Sequence, residues 1–133
     1  MAASDELHDD ALERLPEGAP VVMVNLMKFK ERSDDGDGSG WDAYVRYSKG
    51  VTPLLKARRA SIVWAGNASG GVFGPAEFGE WDYVALVRYP SKDAFTDMIR
   101  SAEYEAANEH RLNGVQRHVI IGTEETYGRF RQD

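Results

Sequence analysis

Two stretches constrain this chain most: VVMVNLMKF, from Val21 to Phe29, and WDYVALVRY, from Trp81 to Tyr89. Each is apolar on both sides of the strand it would make. Successive strand side chains point to opposite faces. In the first, Val21, Met23 and Met27 share one face and Val22, Val24 and Leu26 the other. In the second, Trp81, Tyr83, Ala85 and Val87 oppose Val84 and Leu86. A sheet made of such strands has to be covered on both faces.

The segments available as cover are set by periodicity. GWDAYVRYSKGVTPLLKARRA, opening at Gly40, brings Trp41, Tyr44, Val51, Leu54 and Leu55 back at three- and four-residue steps, the spacing of a helix. Gly50 and Pro53 predict a kink or a two-part helix there. ASIVWAGNA is a second strand, followed by a glycine-rich hairpin, SGGVFGPAEFGE. After the WDYVALVRY strand, Ser91 is placed to cap a helix, Ser101 to restart it, and Gly114 to stop it. VQRHVIIG is a fourth strand. The order strand, helix, strand, strand, helix, strand is the split βαβ arrangement, an α+β, ferredoxin-like βαββαβ sandwich. Its two helices cover one sheet face only. The simplest cover for the other is the same sheet of a second copy, so the chain is expected to be a homodimer.

Composition bounds the partners. The chain has 133 residues and a formal charge of −6, with no cysteine. Its length suits one domain, and it is read as an acidic arm or short helix over 1–19, a ferredoxin-like domain over 20–122 and an irregular tail over 123–133. The arm holds six carboxylates against one base, Arg14. It is expected to be a solvated appendage, with Leu7, Ala11, Leu12 and Leu15 as a narrow apolar stripe. The negative charge, and the lack of a basic stripe interleaved with aromatics, argue against nucleic acid. No apolar run approaches the length of a membrane span, and the acidic start does not resemble a secretory signal, so a cytoplasmic location is expected.

The candidate site begins with Asn25, a lone amide on the Val21, Met23, Met27 face. A buried amide without a partner costs roughly 1–3 kcal/mol. Asn25 therefore ties to a neighbouring group or orients an oxygen of a ligand. Tyr104, Asn108 and Arg111 recur at i, i+4 and i+7 and share a helix face, with small Ala107 between them. Arg111 offers a planar fork suited to a carboxylate or an oxyanion, or pairs with Glu103 or Glu105. His110, on the helix, and His118, on the fourth strand, are the candidates for proton transfer, because His is the side chain whose ordinary pKa lies near neutral pH. Trp64, Tyr44 and Trp81 are the aromatics expected against a flat ligand, if they do not simply pack the core. Asp82 is a weaker candidate for a base or a turn cap.

Other motifs fail. DDGDGSG resembles a calcium loop, but counting from Asp35 the twelfth position is Arg46, where a bidentate Glu is required. No spacing of metal ligands, phosphate loop, nucleophile elbow or dinucleotide fingerprint is present. No metal and no cofactor are expected.

Taken together, VVMVNLMKF, Tyr44 and Tyr47, VWAG, WDYVALVRYPSKDAF and SAEY followed by Arg111 resemble the bacterial domain-of-unknown-function family 1330. The resemblance runs from about Pro20 to Gly122. It implies a ferredoxin-like subunit that pairs into a dimeric α/β barrel, and no settled activity. The wider superfamily includes cofactor-free monooxygenases of aromatic polyketides, lactone isomerases and haem-degrading monooxygenases. The haem-degrading members use an Asn, a Trp and a helix His, and Asn25, Trp64 and His110 are those residue types on comparable elements.

The sequence thus leads to a homodimer with a small-molecule pocket. In the first reading the protein is a cofactor-independent enzyme: Asn25 and Arg111 polarise an oxygen of a small polar or aromatic substrate, Tyr104 or His110 moves a proton, and Trp64 shapes the pocket. A non-catalytic metabolite-binding or sensing module and a haem-linked monooxygenase are the alternatives.

Overall fold

A computed structural model describes residues 2–129, so the end of the tail, residues 130–133, lies outside the described residues. After a 3-10 turn over Ala3–Glu6 and a short helix α1 (Asp9–Glu13), the chain runs β1 (Val21–Phe29), α2 (Gly40–Ala57), β2 (Ser61–Asn67), β3 (Tyr83–Tyr89), α3 (Lys92–Ile99), α4 (Ala102–Gly114) and β4 (Val115–Thr123). The four strands make one antiparallel sheet in the order β2-β3-β1-β4. This is the ferredoxin-like α+β arrangement, with α3 and α4 together forming the second helical connection.

Local chemistry sets the boundaries. Ser39 and Asp42 form a reciprocal capping box that starts α2. The hydroxyls of Ser91 and Ser101 each accept a backbone N–H and start α3 and α4. The helix α2 is one element through Pro53 rather than two. β3 begins two residues later than its apolar run, because Asp82 is used otherwise. Its N–H donates to the Met27 carbonyl and its carboxylate accepts the Phe29 N–H, which ties off the end of β1.

Register decides the faces. Asn25 lies between Ala85 of β3 and Ile120 of β4, and Met27 between Tyr83 and His118. Val21, Met23, Met27, Ala85, Val87 and Tyr89 therefore share the inner face. They pack against Val51 and Leu55 of α2, Phe95, Met98 and Ile99 of α3, and Tyr104 and Ala107 of α4. The opposite face carries Val24, Leu26, Val84, Leu86, Val119 and Ile121, and no helix among the described residues covers it; Val119 and Ile121 are exposed.

Two glycines set the angle of the helices. A Cβ on Gly114, at the end of α4, would lie 2.6 Å from the Ala43 Cβ and would collide with the Gly40 carbonyl at the start of α2. That close approach lets α4 lie along α2 and carry Tyr104 and Arg111 over the sheet.

The arm is docked rather than solvated. Ala3 is buried, and its N–H donates to Glu105 at 3.0 Å. Leu7, Leu12 and Leu15 pack on the core. Lys92, itself buried, donates to the carbonyls of Leu12 and Leu15 and pairs with Glu17. The apolar stripe read in the sequence is the surface that docks. Among the described residues no helix is long and apolar enough to cross a membrane.

Candidate functional site

Asn25 meets a side chain that pairing places beside it. On β4, His118 lies on the same face as Ile120, the residue opposite Asn25. Its Nε2 is 2.9 Å from Asn25 Oδ1. From α4, Arg111 Nε donates to His118 Nδ1 at 3.0 Å. A guanidinium has no lone pair to offer, so Nδ1 must be the acceptor and the proton must sit on Nε2. That tautomer donates to Asn25 Oδ1, which leaves the Asn25 amide nitrogen to donate to the Met23 carbonyl at 3.2 Å. One chemical fact thus fixes the orientation of three side chains.

Arg111 is only 8% exposed. Its Nη1 donates to Asn108 Oδ1 at 2.9 Å, and Asn108 is buried. Its two terminal nitrogens straddle the Glu6 carboxylate, with Nη2 to Oε1 at 2.9 Å and Nη1 to Oε2 at 3.1 Å. A buried cation needs such partners, since an uncompensated one costs several kcal/mol, on the order of 3–5. The Glu6 pair comes from the arm, not from Glu103 or Glu105.

Burial sets the protonation states. It pushes the His118 pKa down to about 3, and the Arg111 charge adds to the shift, so the ring is neutral at neutral pH. Tyr104 and Tyr47 share a hydrogen bond of 2.8 Å. Burial raises both phenols above their ordinary value, so both stay protonated. Tyr44 is likewise raised, first by burial.

Two hollows flank this group. A chamber of about 40 Å³, room for about two waters, lies between sheet and helices against Asn25, Tyr44, Tyr47, Tyr104 and His118. A cleft of about 930 Å³ lies under the arm, against Glu6, Leu12, Phe95, Ile99, Tyr104 and Arg111. Tyr104 and His118 face both hollows.

The residues singled out in the sequence divide accordingly. Asn25, Tyr104 and Arg111 are brought together, and Tyr44 lines the chamber within an aromatic group of Phe29, Trp41, Tyr47 and Tyr83. His110 is not brought there. It turns toward the loop after β1, within electrostatic reach of Asp35, and its buried Nδ1 has no partner among the described residues. Trp64 pairs with Leu86 and so lies on the opposite face of the sheet from Asn25, 49% exposed and stacked over Gly66. The irregularity between Ile62 and Trp64 turns Ile62 inward and Trp64 outward. Trp81 lies outside both hollows, its Nε1 donating to the Phe78 carbonyl and its ring under the Arg117 guanidinium. The trio of Asn25, Trp64 and His110 is therefore not assembled, and these residues do not fit a haem. Among the described residues no group of three or more His, Asp or Glu is placed to hold a metal ion.

His118, Tyr47, Asn108 and Glu6 complete the group. Strand pairing would have placed His118, and helical spacing already set Asn108 beside Arg111. Nothing in the sequence points from Glu6 to a residue 105 positions away.

A family model described as a domain of unknown function, DUF1330, matches residues 40–124, which leaves β1 and Asn25 outside the match. No curated protein matches the chain. The RPA0582 protein of unknown function from Rhodopseudomonas palustris superposes with a TM-score of 0.78 at 29% identity, over 90% of this chain and 92% of that one. A second structure of it, methylated, gives 0.77 at 30% identity, over 90% and 89%. More distant structures share the fold alone. A dimeric protein of unknown function and ferredoxin-like fold from Bacteroides fragilis gives 0.55 at 11% identity, over 83% and 100%. A hydroxynitrile lyase from Passiflora edulis gives 0.54 at 11% identity, over 84% and 99%.

Proposed function

The chain belongs to DUF1330, a family of domains of unknown function, and we propose that it is a homodimeric α/β-barrel protein that binds a small molecule between its sheet and α4. One observation carries this reading: a buried guanidinium, fixed by His118 and Asn108, stands beside a cleft of about 930 Å³ whose walls on the domain side include Met23, Phe95, Ile99 and Ile120. Sites for small molecules are hollows of this size with a few converging polar groups. Arg111 and the Tyr104 hydroxyl face the ligand's oxygen, Asn25 holds His118 in register, and Tyr44 walls the inner chamber. The open face of Val24, Leu26, Val84 and Leu86 favours a second copy as its cover.

Two fates of a bound ligand differ in proton chemistry. As a cofactor-independent oxygenase, isomerase or lyase, the protein needs a base, and the free lone pair of His118 is on Nδ1. Arg111 leaving that nitrogen for the ligand would polarise the ligand's oxygen and free Nδ1 to take a proton in one movement. The binding-only reading is favoured by the resting state, in which Arg111 holds the His118 lone pair and burial keeps the phenols protonated.

The test is a thermal-shift screen of small phenols, lactones and carboxylates against the parent, Asn25→Ala and Arg111→Lys. A ligand of the native state raises its melting temperature. Hits should lose most of their shift in both variants, and mass analysis after long incubation then separates turnover from binding. Hits that stabilise all three proteins alike would refute the site.

A further inference from the structure

We propose that the ligand carries a carboxylate on an apolar body, that this carboxylate takes the place of Glu6 on Arg111, and that the N-terminal arm is the lid it displaces. The inference rests on the reading of the cleft as a binding site and names the class of its ligand.

The fork is built without the arm. His118 takes Arg111 Nε and Asn108 takes one Nη1 hydrogen, both from the folded domain, and these fix the plane of the guanidinium. Of the three N–H groups that remain, one on Nη1 and one on Nη2 run parallel, the geometry that recognises a carboxylate at both oxygens. In the resting structure Glu6 fills that position. The Glu6 side chain is 37% exposed while that of Arg111 is 10% exposed, so the carboxylate sits at the rim where an external one can exchange with it.

The arm that delivers Glu6 has little regular structure of its own and is held by its contacts with the domain, the apolar ones made by Ala3, Leu7, Leu12 and Leu15. It is a four-residue 3-10 turn and a five-residue helix, lengths with little stability of their own. It adds no strand to the sheet. Its polar anchors on the domain, apart from Arg111, are Glu105 to the Ala3 N–H and Lys92 to Leu12, Leu15 and Glu17. Beneath it the domain's side of the cleft is walled by Met23, Phe95, Ile99 and Ile120, which stay in place when the arm moves. An aliphatic or aromatic body suits those walls. The arm is also the most acidic part of the chain, so its closure repels anions and its opening removes that repulsion.

Hexanoate and 1-hexanol are the probes, titrated calorimetrically into the full chain at pH 7. Glu6→Gln leaves the fork intact but weakens its internal occupant. Removing one charge-assisted pair should tighten hexanoate by about tenfold or more and leave 1-hexanol unchanged. Lys92→Gln loosens the arm without touching the fork and should act in the same direction. In Glu6→Ala, sodium acetate should raise the melting temperature more than sodium chloride at equal ionic strength, and more than it does in the parent. Hexanoate bound no more tightly by Glu6→Gln and Lys92→Gln than by the parent overturns the proposal. If neutral probes still bind in that case and depend on Asn25, the cleft remains a binding site and only the carboxylate assignment falls. If no probe binds any variant, both fall.

Discussion

His118 provides a test in which the sign and the size both come from its surroundings. The ring is neutral because burial disfavours its charge and Arg111 opposes it, which takes its pKa from 6.5 to about 3. In the unfolded chain both influences vanish. Below its ordinary pKa the unfolded state therefore binds a proton that the native state refuses, so stability falls as the solution is acidified. The contribution is complete above pH 6.5 and is lost progressively as the pH falls toward about 3. Between pH 7 and pH 5 one such group costs about 2 kcal/mol. Replacement by Gln isolates it. The carbonyl of the introduced glutamine can accept from Arg111 and its amide can donate to Asn25, the same polarity as the neutral ring, and it does not titrate. Urea unfolding of the parent and of His118→Gln at pH 7 and pH 5 gives four free energies. The carboxylates titrate alike in both proteins and cancel. The parent should lose about 2 kcal/mol more than the variant over that interval, and nitrogen NMR should show the Nε2–H tautomer persisting at pH 5. Equal losses in the two proteins, or a ring that becomes cationic near pH 6.5, would refute the tautomer and the hydrogen-bond chain built on it.

Two further outcomes bear on the same architecture. Tyr104→Phe should cost about 1–3 kcal/mol, since it strands the Tyr47 hydroxyl; adding Tyr47→Phe should recover part of that, and strictly additive losses in urea unfolding would mean that the 2.8 Å pair is not a working hydrogen bond. On the open face, Leu86→Lys should halve the mass seen by analytical ultracentrifugation while changing the subunit's own stability by less than about 1 kcal/mol; an unchanged mass would place the contact between copies elsewhere.

Legibility in the sequence tracked the range of the interactions involved. The strands and helices were readable because their causes are local: β-branched runs, three- and four-residue apolar steps, and the serines, Ser91 and Ser101, before α3 and α4. The faces of β1 were readable for the same reason, since alternation alone assigns Asn25 to the side of Val21 and Met23. β2 escaped that rule. One irregularity between Ile62 and Trp64 reverses which residue turns inward, and no residue in ASIVWAGNA announces it. His110 failed for a related reason: adjacency to Arg111 in sequence is a turn of about 100° around the helix, enough to send it to the loop beside Asp35. The polar group of the site is the opposite case, a set of long-range pairings. Asn25 to His118 spans 93 positions and Arg111 to Glu6 spans 105.

What links these pairings is electrostatic necessity. Arg111 is placed under the arm by α4, whose closeness to α2 depends on Gly40 and Gly114. Once buried there, the cation requires an anion within reach, and the domain's own side chains around it, His118, Asn108 and Tyr104, are all neutral. The domain has thus built a fork for a negative charge without supplying one, and the arm supplies it from outside. Beside that ion pair the domain presents Phe95, Ile99 and Ile120 to a cleft of about 930 Å³. A fork that the domain leaves without an anion of its own, beside an apolar wall of Phe95, Ile99 and Ile120, suits a ligand with one charged end and one greasy end, and Glu6 meets only the first half of that requirement.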